Sequence, residues 1–161
     1  MDAKELEKIL KKDGWTLTAV LSKAAGEVIT EERIRNDIGP DAIYVEGAPV
    51  NGRQIVDDSQ FVIIPSLTIN TAAKVANCIS DNLLTNMISR AMATGKPIVA
   101  AIDGCCPDNK VREQLGFKVT EAYKAKMRHN LEDMLAYGIT LTTDYSLCSK
   151  VNEVFSAKVS L

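Results

Sequence analysis

A chain of 161 residues that is 46% hydrophobic has the size of one domain and enough apolar material for a single core. Its 19 Lys plus Arg against 21 Asp plus Glu leave a net charge of -2 with no basic block, so the electrostatic footprint of a nucleic-acid binder is missing. No apolar stretch approaches the ~20 residues of a membrane span, and Cys78, Cys105, Cys106 and Cys148, with His129 as the only histidine, lack metal-ligand spacing and are expected to be reduced thiols.

The start, MDAKELEKIL, is an amphipathic helix pattern with Leu6, Ile9 and Leu10 among charges, not a signal peptide, so a soluble cytoplasmic protein is expected. Trp15 to Ser22 has the content of a strand. Lys23 to Ile38 reads as one or two short helices around Thr30, and Asp41 to Gly47 as a second strand after the Gly39-Pro40 break. Ala48 to Asp58 is the most loop-like part. Phe61 to Pro65 is apolar on both faces, as expected of an interior strand covered by helices on either side. Helices follow from about Thr68 to Ile79 and from Asn82 to Thr94, then a buried strand from Pro97 to Asp103. Beyond DNKVREQLG, Lys118 to Tyr137 has helical spacing, Ile139 to Thr142 is a last short strand, and Tyr145 to Ser156 a closing helix.

This β-α-β alternation, without repeats, low-complexity tracts or linkers, predicts one domain over 1–161. Its class is α/β, a three-layer sandwich with a Rossmann-like or flavodoxin-like, mostly parallel sheet flanked by helices. In such sheets ligands bind beyond the carboxyl ends of the strands. Four places qualify here: Ser22 to Ala24, Gly47 to Val50, Ser66 to Thr71, and Asp103 to Pro107.

The segment IPSLTINTAAKVANC puts hydroxyls and an amide at the head of an apolar helix without a single acid. A helix N-terminus offers unpaired N–H groups and a partial positive charge, so this loop is built to cradle a phosphate or carboxylate. The plainer reading makes Thr68 an N-cap and Asn70 and Thr71 first-turn residues.

The run from Pro65 to Asp103, PSLTINTAAKVANCISDNLLTNMISRAMATGKPIVAAID, resembles the flavoprotein family of the homo-oligomeric flavin-containing cysteine decarboxylases, phosphopantothenoylcysteine decarboxylase, flavin prenyltransferases and the second subunit of dipicolinate synthase. The matching elements are the strand-end Pro65, the turn Thr68 to Thr71, Lys74, Asp81 to Thr85 and Lys96 to Val99. Weaker similarity reaches upstream through LEKILKKDGWTLTAVLSKAAGEVIT. The resemblance implies FMN as cofactor. It places phosphate and ribityl contacts on Ser22, Ser66, Thr68, Asn70 and Thr71, with Ala101 and Asp103 near the flavin ring and Asp81 to Leu84 at the ring edge or a subunit contact. Homo-oligomers, trimers or higher, are implied, as are associations with bacterial microcompartments or pathway enzymes. The apolar helices Thr68 to Ile79 and Asn82 to Ala93 also point to oligomerisation.

Departures from the family pattern argue against cysteine decarboxylation. The family opens with a strand and a Gly/Ser phosphate loop, whereas this sequence opens with the helix that should follow them. Asn51 and Gly52 stand where the decarboxylases carry their active-site His, and His129 reads as a surface residue. IDGCCPDN replaces a substrate-clamping Pro-x-Met-Asn segment, and the loop holds one extra residue between Pro65 and Asn70. Cys105-Cys106 reads either as a redox or ligand-touching pair or as small buried filler, Lys23 as a phosphate partner or a solvated lysine, and Asp103 as a flavin acceptor or a helix cap. Two functions are therefore expected to compete. One is an FMN-binding protein in a redox or accessory role, and the other a non-catalytic assembly or interaction subunit that keeps the fold without cofactor.

Overall fold

The computed structural model describes residues 3–11 and 14–159. Its first half runs α1 (Ala3–Lys11), β1 (Thr18–Leu21), α2 (Lys23–Val28), α3 (Glu31–Ile38), β2 (Ala42–Val45) and α4 (Gly52–Asp58). Then come β3 (Val62–Ile64), α5 (Ile69–Ala76), α6 (Leu83–Ala93), β4 (Ile98–Ala101), α7 (Lys110–Gln114), α8 (Glu121–Ala136), β5 (Thr140–Thr142) and α9 (Leu147–Val159).

Every ladder is parallel, as short strands alternating with helices require. β1 pairs with β2, Thr18 opposite Ala42 through Leu21 opposite Val45. β4 lies between β3 and β5, with Ile63 opposite Val99 and Ala100 opposite Leu141. One sheet was expected. Two form instead, because no described strand lies between β1 and β3 to carry the ladder across.

Both sheets nevertheless share the same two helical layers. On one face Val20, Val62, Ile64, Ile98 and Ala100 pack with Val56 of α4, Ala72 and Val75 of α5, Ile88 and Ala91 of α6, and Met134 of α8. On the other, Leu17, Phe61, Ile63, Val99 and Ala101 pack with Leu6 and Leu10 of α1 and with Leu147, Val151 and Phe155 of α9. The strand residues alternate between the two clusters, as the period of two demands. β4 is buried throughout, which accounts for its unbroken apolar sequence.

Local chemistry sets the helix boundaries. Of the one or two helices expected over 23–38 there are two, divided at Thr30, which caps α3 with its hydroxyl accepting from the Arg33 N–H. Thr120 does the same for α8, so that helix begins at Glu121 and not at Lys118. α5 stops at Ala76, and Cys78 has a left-handed φ of 57°. The segment read as loop-like contains α4. Its start is capped by Asn51, its Val56 is 1% exposed, and its Gly52 lies against Leu83 and Met87 of α6. Only the α6 partner makes that short polar-looking stretch worth folding. No described helix is long and apolar enough to cross a membrane.

Candidate functional site

The carboxyl ends of β3 and β4 meet through backbone. Leu67 is fully buried, and its N–H donates to the Ala101 carbonyl at 2.9 Å, which leaves Ser66 and Thr68 on either side of it facing solvent. Thr68 caps α5: its hydroxyl accepts from the Thr71 N–H at 3.3 Å and lies 3.1 Å from the Thr71 hydroxyl. Ser66 and Asn70 are exposed, and neither side chain has a hydrogen-bond partner among the described residues. The first turn of α5 contains no acid, and Lys74 turns away to a salt bridge with Asp81 at 2.9 Å. That hydrogen bond holds the Asp81 carboxyl below its ordinary value of 3.8.

A carboxylate the sequence reading passed over decides which helix starts are available. Glu46, directly after β2, accepts from the Leu83 N–H of α6 at 2.7 Å and from the Lys23 N–H of α2 at 3.2 Å. An internal anion therefore already sits at the positive ends of two helices, while that of α5 has only hydroxyls and a free amide around it. The arrangement suits an anionic group at α5, the kind of seat a phosphate takes at a helix N-terminus. Nothing in sequence spacing signals Glu46, since both of its amide partners arrive through the tertiary fold.

The family model described as Flavoprotein matches residues 1–136. The chain belongs to the flavoprotein family. Among solved structures, this flavoprotein-family chain is similar to a dodecameric FMN-dependent UbiX-like decarboxylase from Escherichia coli O157:H7, with a TM-score of 0.67, 10% identity, and 96% of this chain and 85% of that one covered. It is similar to the FMN-dependent cysteine decarboxylase TvaF from thioviridamide biosynthesis, with a TM-score of 0.63, 20% identity, and 96% and 92% covered. A third likeness is to apo DmrB from Burkholderia xenovorans, a cubic protein cage for redox transfer, with a TM-score of 0.57, 17% identity, and 90% and 95% covered. No curated protein matches the chain. At these identities the likenesses establish the Rossmann-like fold that the β-α-β alternation predicts.

The remaining expected site residues of this flavoprotein-family chain fall at the ends of two different sheets, Ser22 after β1 and Ala101 and Asp103 at the end of β4. The Ser22 hydroxyl caps α2, accepting from the Ala25 N–H at 3.1 Å, and it belongs to the other sheet. The Ala101 methyl is 1% exposed in the α1/α9 cluster, so Ala101 reaches the loop only through its carbonyl. Asp103 does not cap α7, which Asn109 caps. Its carboxylate accepts from the Asp144 N–H and ties the loop after β4 to the loop after β5. Lys23 is exposed, and its ammonium makes no ion pair among the described residues.

Cys105 is 2% exposed, and burial, followed by the neighbouring Cys106, pushes its thiol up to about 12. That thiol is core filler. His129 is a surface residue, its side chain 61% exposed beside Glu132 and Asp133. Asn51 accepts from the Gln54 N–H as the cap of α4. A separate hollow of about 350 Å³ between α7 and α8 is lined by Arg112, Glu113, Phe117, Lys118 and Lys124. Of the site stretches expected from sequence it touches only the end of Asp103 to Pro107, through Pro107.

Proposed function

We propose that this chain binds FMN at the carboxyl ends of its strands and uses it in a redox or accessory role, not in cysteine decarboxylation. The observation that carries the reading is the acid-free start of α5, ringed by the unpartnered Ser66 and Asn70 and by Thr68. In this reading the FMN phosphate takes the α5 N-terminus, and Ser66 and Asn70 supply donors to it or to the ribityl chain. Flavin, when bound, supplies the hydride and electron-transfer chemistry, and the protein supplies orientation and local charge. Family membership and FMN-dependent structural relatives support a flavin cofactor. The capping role of Asn51 and the surface position of His129 speak against decarboxylation by the chemistry of those relatives.

Assembly into a homo-oligomer, a trimer or larger, is part of the same proposal. The dodecameric and cage-forming relatives support it. The apolar helix faces do not argue for it as expected, because α5 and α6 bury Val75, Ala76, Ile88 and Ala91 within this chain.

The second reading, a cofactor-free assembly subunit, draws on Glu46, which fills two helix N-termini with the protein's own carboxylate. Titration with FMN and with riboflavin, followed by flavin fluorescence, separates the two. FMN is expected to bind at least ~10-fold more tightly than riboflavin, and Asn70→Ala to weaken FMN by about 10-fold, or about 1.4 kcal/mol. Equal affinities would remove the phosphate from α5, and binding of neither flavin would favour the assembly subunit.

A further inference from the structure

Short helices such as α2 and α3, of six and eight residues, take nearly all of their stability from packing an apolar face. Neither has a buried residue, so the rest of the chain supplies little of that packing. The corner between them turns apolar side chains outward. Val28, the last residue of α2, is 81% exposed, and Ile29 after it is exposed as well. The corner is nonetheless fixed, since the Ile29 N–H donates to the Ala25 carbonyl at 2.8 Å and the Thr30 hydroxyl accepts from the Arg33 N–H at 3.2 Å. Around the two apolar side chains the run EVITEE, Glu27 to Glu32, sets three carboxylates and no cation. Arg35 engages Glu31 at 3.7 Å, whereas Glu27 and Glu32 make no ion pair among the described residues.

The hollow of about 350 Å³ between α7 and α8 has the complementary character. Phe117 and Val119 give it apolar wall, and three cations, Arg112, Lys118 and Lys124, outnumber the single acid Glu113 in its lining. Lys124 is paired with Glu113 and Glu121 at 3.4 and 3.2 Å. Arg112 donates to the Cys106 and Gly104 carbonyls at 3.0 and 3.1 Å, which fixes its guanidinium without cancelling its charge. Lys118 makes no ion pair among the described residues, so two uncompensated cations face two uncompensated acids elsewhere on the same chain. Phe117 is itself 61% exposed. Within one copy the two features do not meet, because the corner stays exposed and the hollow open.

We propose that the Val28–Ile29 corner of one copy docks in the α7/α8 hollow of a second copy of this chain. The contact presupposes the homo-oligomer proposed above and gives it its surface. Val28 and Ile29 enter against Phe117 and Val119, where removal of apolar area from water supplies the affinity. Glu27 and Glu32 face Arg112 and Lys118 at the rim, where charge fixes partner and orientation more than strength. Like surfaces do not pair, since corner on corner would set Glu27 and Glu32 against their own copies, and hollow on hollow would oppose the uncompensated cations. The contact therefore joins unlike patches, and it repeats from copy to copy until the rotation closes.

Sedimentation velocity on the intact chain tests this, with Val28→Lys, which sets a cation against the cationic hollow, and Phe117→Asp, which sets an acid against the acidic corner. Both positions are exposed, so the circular dichroism of each variant is expected to match that of the wild type. Each variant alone is expected to associate at least ~10-fold more weakly than the wild type. An equal mixture of the two is expected to recover association, because one brings an intact hollow and the other an intact corner. In the wild type, a carbodiimide cross-link between isotope-labelled and unlabelled copies is expected to join Glu27 or Glu32 to Lys118. A wild type that sediments as a monomer would overturn this contact together with the homo-oligomer reading. A wild-type oligomer that survives either substitution, is not recovered in the mixture or lacks that cross-link would overturn the contact alone.

Discussion

Glu46 shows how much one side chain can hold at a strand end. Its two oxygens take backbone donors from α2 and α6, and hydrogen bonds to a charged group contribute about 1.5–3 kcal/mol each where they are shielded from water. Glu46 is only half-buried, so the expected loss in Glu46→Ala is at the low end, roughly 1–3 kcal/mol in total, read from a denaturant midpoint. Cys105 makes the opposite case, a reactive type of residue kept inert. Its thiol is raised from an ordinary 9.0 to about 12 by burial, so the unfolded chain ionises first. The stabilisation is whole below pH 9.0 and is lost as pH rises toward 12. Unfolding midpoints of the wild type are therefore expected to fall faster than those of Cys105→Ala above pH 9.0 and in parallel below it. The hydroxyls of Ser66 to Thr71 were legible in the sequence because caps and anion seats use short polar residues at fixed offsets. Glu46 was not, because its partners are distant in the chain.

Among the elements, the loop after β3 is held by close backbone approach. A Cβ on Gly104 would lie 2.7 Å from the Leu67 carbonyl oxygen, an atom that cannot swing aside as a side-chain end can. Gly104→Ala is expected to cost about 1–3 kcal/mol and to push the Ser66 to Thr71 loop away from β4, weakening FMN binding as well as lowering the melting temperature. Gly52→Ala meets the Leu83 and Met87 side chains at 2.7 and 2.9 Å, yet these are flexible, so the smaller loss is expected there. Strand and helix order could be read from periodicity and punctuation. α4 could not, since Gly52 is a poor helix former whose place is decided by the α6 surface it touches.

The whole molecule is unevenly packed. α2 and α3, which flank the β1–β2 sheet, have no buried residue, whereas β4 is 0–2% exposed throughout. Amide exchange is accordingly expected to be slowest in β4, close to the rate of global unfolding, and at least ~10-fold faster in β2. Equal protection of β2 and β4 would show that the two sheets open as one unit.

Alternating apolar strands and amphipathic helices were enough, from sequence alone, to specify a parallel α/β sandwich, and short polar residues at fixed offsets were enough to place the Thr68 cap at the head of α5. These are local properties, carried by side-chain period and backbone preference within a few residues. The break between β1 and β3, the Glu46 bridge and the burial of Cys105 were decided only by the tertiary structure. Each depends on which segments distant in the chain come to lie side by side, and no local period encodes that.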